Sequence, residues 1–259
     1  MKYGTWICIA LASIALVGCG KDDTAGVAVG GGPSGDGKSE APATPIQSQE
    51  IKDGESPMDL LPTTVGSQAV YEVTQVGTNE KREITLKVAN VKEVNGKKIV
   101  TLETYMEDPE TKTEKKTDQS DWEIGPEGVA QRTSAETKTY DPPQPVLKFP
   151  IKVGEESTYE GVGPVPVGGQ VGKQAGKYRV RSFEEVDTPM GTVNSVACES
   201  LIAFEAENEK GEKGVVRIKT VIWLAPKYGI VRFKNYALTN TGQQQEIQSL
   251  AIKSFSEKK

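Results

Sequence analysis

The strongest constraint in this chain is a two-residue rhythm of apolar and polar side chains. In "EITLKVA" Ile84, Leu86 and Val88 fall on one face and Glu83, Thr85 and Lys87 on the other, while "KYRVR" sets Tyr178 and Val180 against Lys177, Arg179 and Arg181. Successive side chains of an extended chain point to opposite faces, so this rhythm makes strands with one buried and one wet face, as in an antiparallel sheet. Further strands are read at 98–106, 192–206, 214–224, 230–239 and 245–255. Turn chemistry punctuates them. Asn95-Gly96 supplies the positive φ angles of a tight hairpin, and "TPMG" at 188–191 and "GPEG" at 125–128 place Pro ahead of Gly at turn spacing. A single helical turn is expected where Ser56 caps and Pro57 starts it. No longer helical periodicity competes, so the fold class is all-β with few or no helices.

Self-comparison indicates how the strands are organised. "LPTTVGSQAVYE" at 61–72 aligns without a gap to "FPIKVGEESTYE" at 149–160, matching Pro62 with Pro150, Val65 with Val153, Gly66 with Gly154, Tyr71 with Tyr159 and Glu72 with Glu160. "WEIGPEGV" with Trp122 recurs approximately as "WLAPKYGI" with Trp223. Two units follow, about 62–134 and 150–239, joined by "YDPPQPVLK", whose prolines disfavour helix and central strand alike. Each unit alone has few strands and two bare edges; pairing them hides the edges and buries a shared core. The expected architecture is a strongly curved antiparallel sheet or half-barrel of two repeated units, forming one β-rich domain over residues 57–259. "DPETKTEKKTDQSD" at 108–121 mixes both charges and reads as a long hairpin tip or partly disordered loop.

Ahead of that domain, Lys2 and the free amine precede an apolar run from Trp6 to Val17, interrupted only by Ser13. From Tyr3 to Gly18 is 16 residues, short of the roughly 20 that a spanning helix needs and suited to a signal peptide. A short membrane anchor or an ordinary secretory signal would share that length. Leu16, Val17, Gly18 and Cys19 resemble the lipobox of bacterial lipoproteins. The resemblance implies a signal peptide over residues 1–18, a diacylglycerol thioether on Cys19, and an acyl group such as palmitate on the new amine. Several acyl chains hold a protein to a membrane firmly where one holds it weakly. By resemblance to the sorting pattern of such lipoproteins, Gly20 points to the outer membrane, facing the periplasm, if the cell is diderm. Residues 19–56, rich in Gly, Ser, Pro and Thr, read as the lipidated cysteine and a flexible tether. Within it "GPSGDGKS" fits the phosphate-loop pattern, with Gly32, Gly37, Lys38 and Ser39 in place. That loop works only between a strand and a helix, and Pro42 and Pro45 stand where the helix would run, so nucleotide binding is set aside.

The chain has no histidine, three cysteines and a formal charge of −5. The commonest general base and metal ligand is therefore missing, and thiolate with imidazole cannot complete a four-ligand zinc site. Mild acidity without a dense basic patch argues against a nucleic-acid partner. Cys198 is the free thiol left once Cys19 is acylated; with no activating histidine it reads as packed and inert. Trp122, Trp223, Tyr71 and Tyr159 could grip an apolar ligand, but large aromatics more often fill cores and cover sheet ends. The pairs Glu155-Glu156 and Glu184-Glu185 could hold Ca²⁺, yet neither lies in an oxygen-rich loop and solvated strand edges fit better. No catalytic residue, cofactor or metal is expected. Cys19, as lipid attachment, is the one assigned site.

The signal peptide, the "[LF]-P-x-x-V-G-x4-Y" opening, the "TPMGTVNSVACES" hairpin and the closing "WLAPKYGIVR" resemble a group of uncharacterised exported bacterial proteins, loosely akin to the LolA/LolB lipoprotein-carrier superfamily. The resemblance covers about residues 61–255 and implies a curved sheet around an apolar cavity, without the long helices that close the carriers. Two expectations for function follow. One is a membrane-anchored, non-catalytic β domain that binds a hydrophobic small molecule or lipid in a cavity lined by Ile84, Leu86, Tyr178 and Val180. The alternative is a structural adaptor that docks an envelope protein through its sheet surface. An enzyme would need a carboxylate pair or a Ser-Lys arrangement that spacing does not reveal. An apolar cavity of at least about 300 Å³ favours the first reading, and a filled core the second.

Overall fold

The computed structural model describes residues 49–258 apart from residues 77, 79, 109, 135–137, 166–169, 208–212 and 240. The signal peptide, Cys19, the phosphate-loop match and most of the tether lie outside the described residues. The first six strands are β1 (Gln68–Gln75), β2 (Glu80–Val94), β3 (Lys97–Glu107), β4 (Glu114–Gly125), β5 (Gly128–Thr133) and β6 (Thr139–Lys148). The second six are β7 (Glu156–Pro164), β8 (Val171–Thr188), β9 (Gly191–Glu207), β10 (Lys213–Ala225), β11 (Gly229–Leu238) and β12 (Gln244–Ser256). Every pairing is antiparallel between sequence neighbours, and β1 pairs with β12, so the sheet is a closed barrel.

Closure corrects the half-barrel expectation. β1 is bonded on both sides, with Tyr71 facing Ile84 of β2 and Ile252 of β12, so neither chain end leaves a bare sheet edge. No helix occurs among the described residues; Met58 and Asp59 form a turn where a helical turn was expected. The charged stretch 108–121 is not all hairpin tip, because β4 begins at Glu114 and pairs Asp118 with Thr104. The stretch "YDPPQPVLK", expected as a linker, is most of β6. Its prolines have no N–H to donate, and the ladder is correspondingly thin: two register shifts against β5 and a single pair, Asp141 with Val162, against β7.

Register decides which faces are dry. Val73, Leu250, Phe233, Ile222, Cys198 and Val180 are paired one to the next around β1, β12, β11, β10, β9 and β8, and all are buried. One step along, Arg179, Glu199 and Lys234 face outward. Apolar inside and charged outside is the reverse of a membrane-spanning barrel, whose outer band is apolar. This wall is built for water.

The two ends differ. Tight turns at Asn95-Gly96, Pro126-Glu127, Pro189-Met190 and Pro226–Tyr228 share one end, and longer connections such as 108–113 and 239–243 share the other. The N-terminal segment crosses the tight-turn end. Gly54 N–H donates to Ile151 O (2.7 Å), Ile151 N–H to Glu55 O (2.8 Å), and Lys227 N–H to Asp59 O (2.8 Å), which ties the segment to both the β6–β7 connection and the β10–β11 turn. Ile51, Leu60 and Leu61 drop into the core there. Ordered packing therefore begins by Ile51, ahead of the expected start at residue 57.

Candidate functional site

Space collects where the strand ladder is thin. A groove of about 480 Å³ lies over β4, β5 and β6, with Val129, Pro143, Pro145, Leu147, Phe149 and Tyr178 among its lining. Glu123 and Ala130, also in its lining, pair with each other on the face opposite Trp122 and Gln131, and Ala130 pairs with Pro145. The groove thus opens on the outer wall, and its floor reaches the core at Val129, Leu147 and Phe149. Gly128 shapes its floor: at φ 135° a Cβ there would stand 1.9 Å from Leu147 O, so β5 and β6 approach as only glycine permits.

One rim is ionic. Lys97 Nζ lies 2.6 Å from Glu127 Oε2 and 3.3 Å from Glu123 Oε1, and Arg132 Nη1 lies 2.9 Å from Glu123 Oε2. The hydrogen bond to Glu127, assisted by Glu123, holds the Lys97 ammonium above the usual lysine range against the opposing effect of burial. At the other rim Tyr178 reaches across from β8, where β6 and β7 are barely bridged. An extended segment laid here would meet proline and aromatic surface beside a weakly laddered strand.

The interior space found among the described residues is much smaller. The space between β6 and the β9–β11 wall is about 40 Å³, lined in part by Gln131, Tyr140, Ser200 and Thr220, enough for a water or two. The apolar cavity implied by the carrier resemblance is corrected here. Ile84 and Val180 are buried in the main core and Leu86 packs at its margin, while Trp122 fills the core with them and Leu60 and Leu61 close its tight-turn end. Tyr178 packs instead beside a second cluster with Tyr159, Ile202 and Phe204.

The remaining candidates take packing roles. Trp122 is fully buried and its Nε1–H donates to Ser120 Oγ at 3.1 Å. Trp223 is similar in sequence context but opposite in facing: it pairs with Ala197 and Arg232, and its Nε1–H donates to Glu184 Oε1 at 2.6 Å. Tyr71 donates to Ile230 O at 2.8 Å, and burial raises its phenol well above the ordinary range. Tyr159 donates to Pro142 O at 3.0 Å, and burial, then Asp141, pushes its phenol up to about 12. Cys198 is buried, and desolvation pushes its thiol up to about 12. Glu155 pairs with Lys148 at 2.9 Å and Glu156 with Lys177 at 2.6 Å. No cluster of three or more metal-ligating side chains occurs among the described residues. Sequence reading missed the groove because it treated 140–148 as a linker; prolines flanked by Tyr140, Val146 and Leu147 were the available sign of a half-buried strand.

No family model matches the chain, and no curated protein matches it in sequence. Among solved structures it resembles a candidate lipoprotein from Parabacteroides distasonis at 12% identity, over 78% of this chain and 100% of that one, with a TM-score of 0.50. At that identity the likeness speaks for the shared β fold alone. A candidate exported protein with YmcC-like fold from Bacteroides fragilis matches at 12% identity over 76% and 98% of the two chains, TM-score 0.42. The hypothetical lipoprotein YmcC from Escherichia coli matches at 7% identity over 76% and 86%, TM-score 0.34. Both are too distant to carry further argument.

Proposed function

We propose that this chain is a lipid-anchored envelope protein whose barrel, without catalysis of its own, holds a protein partner in the groove over β5 and β6. The observation that carries the reading is the contrast between about 480 Å³ outside and about 40 Å³ inside. Pockets that enclose a drug-sized or lipid-sized ligand start near 300 Å³, so the interior space among the described residues is too small for an acyl chain. The anchor is Cys19, thioether-linked and acylated with chains such as palmitate, with Gly20 directing the protein to the periplasmic face of an outer membrane. "LVGC" supports this, as does the lipoprotein description of the Parabacteroides structure. A Cys19→Ala variant should lose both palmitate incorporation and the membrane fraction; retention of both would sink the anchor.

The groove is tested with a photo-crosslinking residue at Lys148 on its rim and at Thr85 on a distant strand. A defined protein adduct from the first position alone, abolished by Ala130→Glu in the floor, is expected. Equal adducts from both positions would overturn the reading. A non-covalent lipid of defined mass, seen by native mass spectrometry on the purified protein, would instead favour the hydrophobic-ligand function.

We also read β1–β6 and β7–β12 as two copies of a six-strand unit, each extending one strand beyond the 62–134 and 150–239 boundaries. Gly66 N–H donates to Val88 O at 2.8 Å and Gly154 N–H to Val180 O at 2.9 Å, with φ of 89° and 81° at the two glycines. Tyr71 and Tyr159 follow at equal spacing. Exchanging residues 61–67 for the sequence of 149–155 should leave a folded barrel; an unfolded product would count against equivalence.

A further inference from the structure

We infer that the outer wall of β8–β11 is a docking face for the anionic headgroups of a lipid bilayer. Three cross-strand rows make this face. Lys177, Leu201, Lys219 and Tyr236 form the first; Arg179, Glu199, Val221 and Lys234 the second; Ala197, Trp223 and Arg232 the third, with Val221, Ala197 and Trp223 themselves buried. The charge on it is lopsided. Arg179, Arg181 and Lys219 converge on one carboxylate, Glu199, at 2.8, 4.0 and 2.9 Å. Burial works against charge on Glu199, yet the hydrogen bonds from Lys219 and Arg179 hold its carboxyl below the usual range, so it is fully used as their counter-ion.

Two cations therefore remain in surplus at that point. Arg232 adds another: it lies 5.6 Å over the Trp223 ring, and no ion pair to it is found among the described residues. Lys177 and Lys234 are matched only from the margins, by Glu156 and Glu246. This excess stands on a chain whose formal charge is −5, so the cations are concentrated rather than spread. Positive surface of this kind attracts phosphate-bearing surfaces and does so less as salt rises.

Apolar groups select a bilayer over an acidic protein. Leu201, 41% exposed, sits between Lys177 and Lys219. Lys219 Nζ lies 5.9 Å from the centre of the Tyr236 ring. Cations interleaved with the exposed Leu201 and the half-buried Tyr236 match the headgroup boundary, where charge meets phosphate and apolar side chains enter the acyl margin. Phosphates would compete with Glu199 for Arg179, Arg181 and Lys219. The face is separate from the groove and does not depend on acylation of Cys19, so either reading can fail alone.

The test uses the full mature protein in nanodiscs of neutral phosphatidylcholine, with or without about a third phosphatidylglycerol, a composition that supplies the anionic surface. Lysine acylation read by mass spectrometry gives the footprint. Lys177, Lys219 and Lys234 should label at least roughly threefold more slowly in the anionic discs, with protection lost in molar salt, while Lys87 and Lys92 on β2 label equally in both. Arg179→Glu with Arg181→Glu should abolish the protection, and Glu199→Gln, which removes the counter-ion, should deepen it. Equal labelling of the three lysines in both discs would overturn the inference. So would equal protection by inorganic phosphate without anionic lipid, which assigns a free-anion site, or protection that needs an added acidic protein.

Discussion

Replacing Leu60 with alanine isolates the contribution of the segment that crosses the barrel end. Leu60 is fully buried, whereas Met58, two residues earlier, is 38% exposed. Truncating a buried leucine costs about 2–5 kcal/mol, the spread reflecting how far the surroundings collapse into the cavity. The segment lies outside the sheet and is tied down at Gly54, Asp59 and Glu55, so partial collapse is open to it and about 3 kcal/mol is expected. With a urea slope of about 3 kcal/mol per molar for a domain of this size, the unfolding midpoint should fall by roughly 1 M. Met58→Ala should cost less than about 0.5 kcal/mol. Hydrogen exchange supplies a second readout, because the Gly54, Ile151 and Lys227 amides bridge segment and barrel. Leu60→Ala should speed their exchange roughly a hundredfold if the segment opens locally. If Leu60→Ala and Met58→Ala share a midpoint to within about 0.2 M, and those amides keep their protection, the segment is not part of the core.

Cys198, with its thiol near 12, should be about one part in ten thousand thiolate at pH 8, so alkylation of native protein should be negligible and should appear only with unfolding. Gly128→Ala would push a methyl into Leu147 O at a φ that disfavours any side chain, and a loss of about 2–5 kcal/mol in thermal or urea unfolding is expected. Tyr71→Phe leaves Ile230 O without its buried donor and should cost about 1–2 kcal/mol by urea titration. For Glu199 the folded carboxyl lies below its usual value, so its stabilisation is present above the unfolded pKa and is lost as pH falls through the folded one. Glu199→Gln should therefore cost up to about 1 kcal/mol near pH 7, because solvent screens these partly exposed pairs, and nothing once both states are protonated, near pH 2; a constant deficit across that range would refute the ion-pair account.

Five strands were legible to within a residue or so, β2 and β8 only in part, and β4 was read in part as loop. The expected 98–106 and 214–224 became Lys97–Glu107 and Lys213–Ala225, because alternation and Asn-Gly or Pro-Gly turns act over a few residues. β6 was not legible, because Pro142, Pro143 and Pro145 argue locally against a strand and only neighbours on both sides make one tolerable. Ile51, Leu60 and Leu61 carry no period at all, so nothing in the chain announced that they fill the barrel end. The groove was hidden with β6. Trp122 and Trp223, alike in sequence, face opposite ways because Pro126 follows Trp122 by four residues and Pro226 follows Trp223 by three, and one residue of extended chain reverses a side chain.

The sequence by itself determined which side of the plainly alternating strands, such as β2 and β8, would be wet, since that follows from the two-residue repeat of an extended chain. The tertiary structure decided which strands meet. Closure follows from hiding the edges of β1 and β12, and it is pairing across β8, β9 and β10 that brings Arg179, Arg181 and Lys219, separate in the chain, onto Glu199. Register is a non-local quantity, set by the burial of whole faces, and no short window of residues contains it.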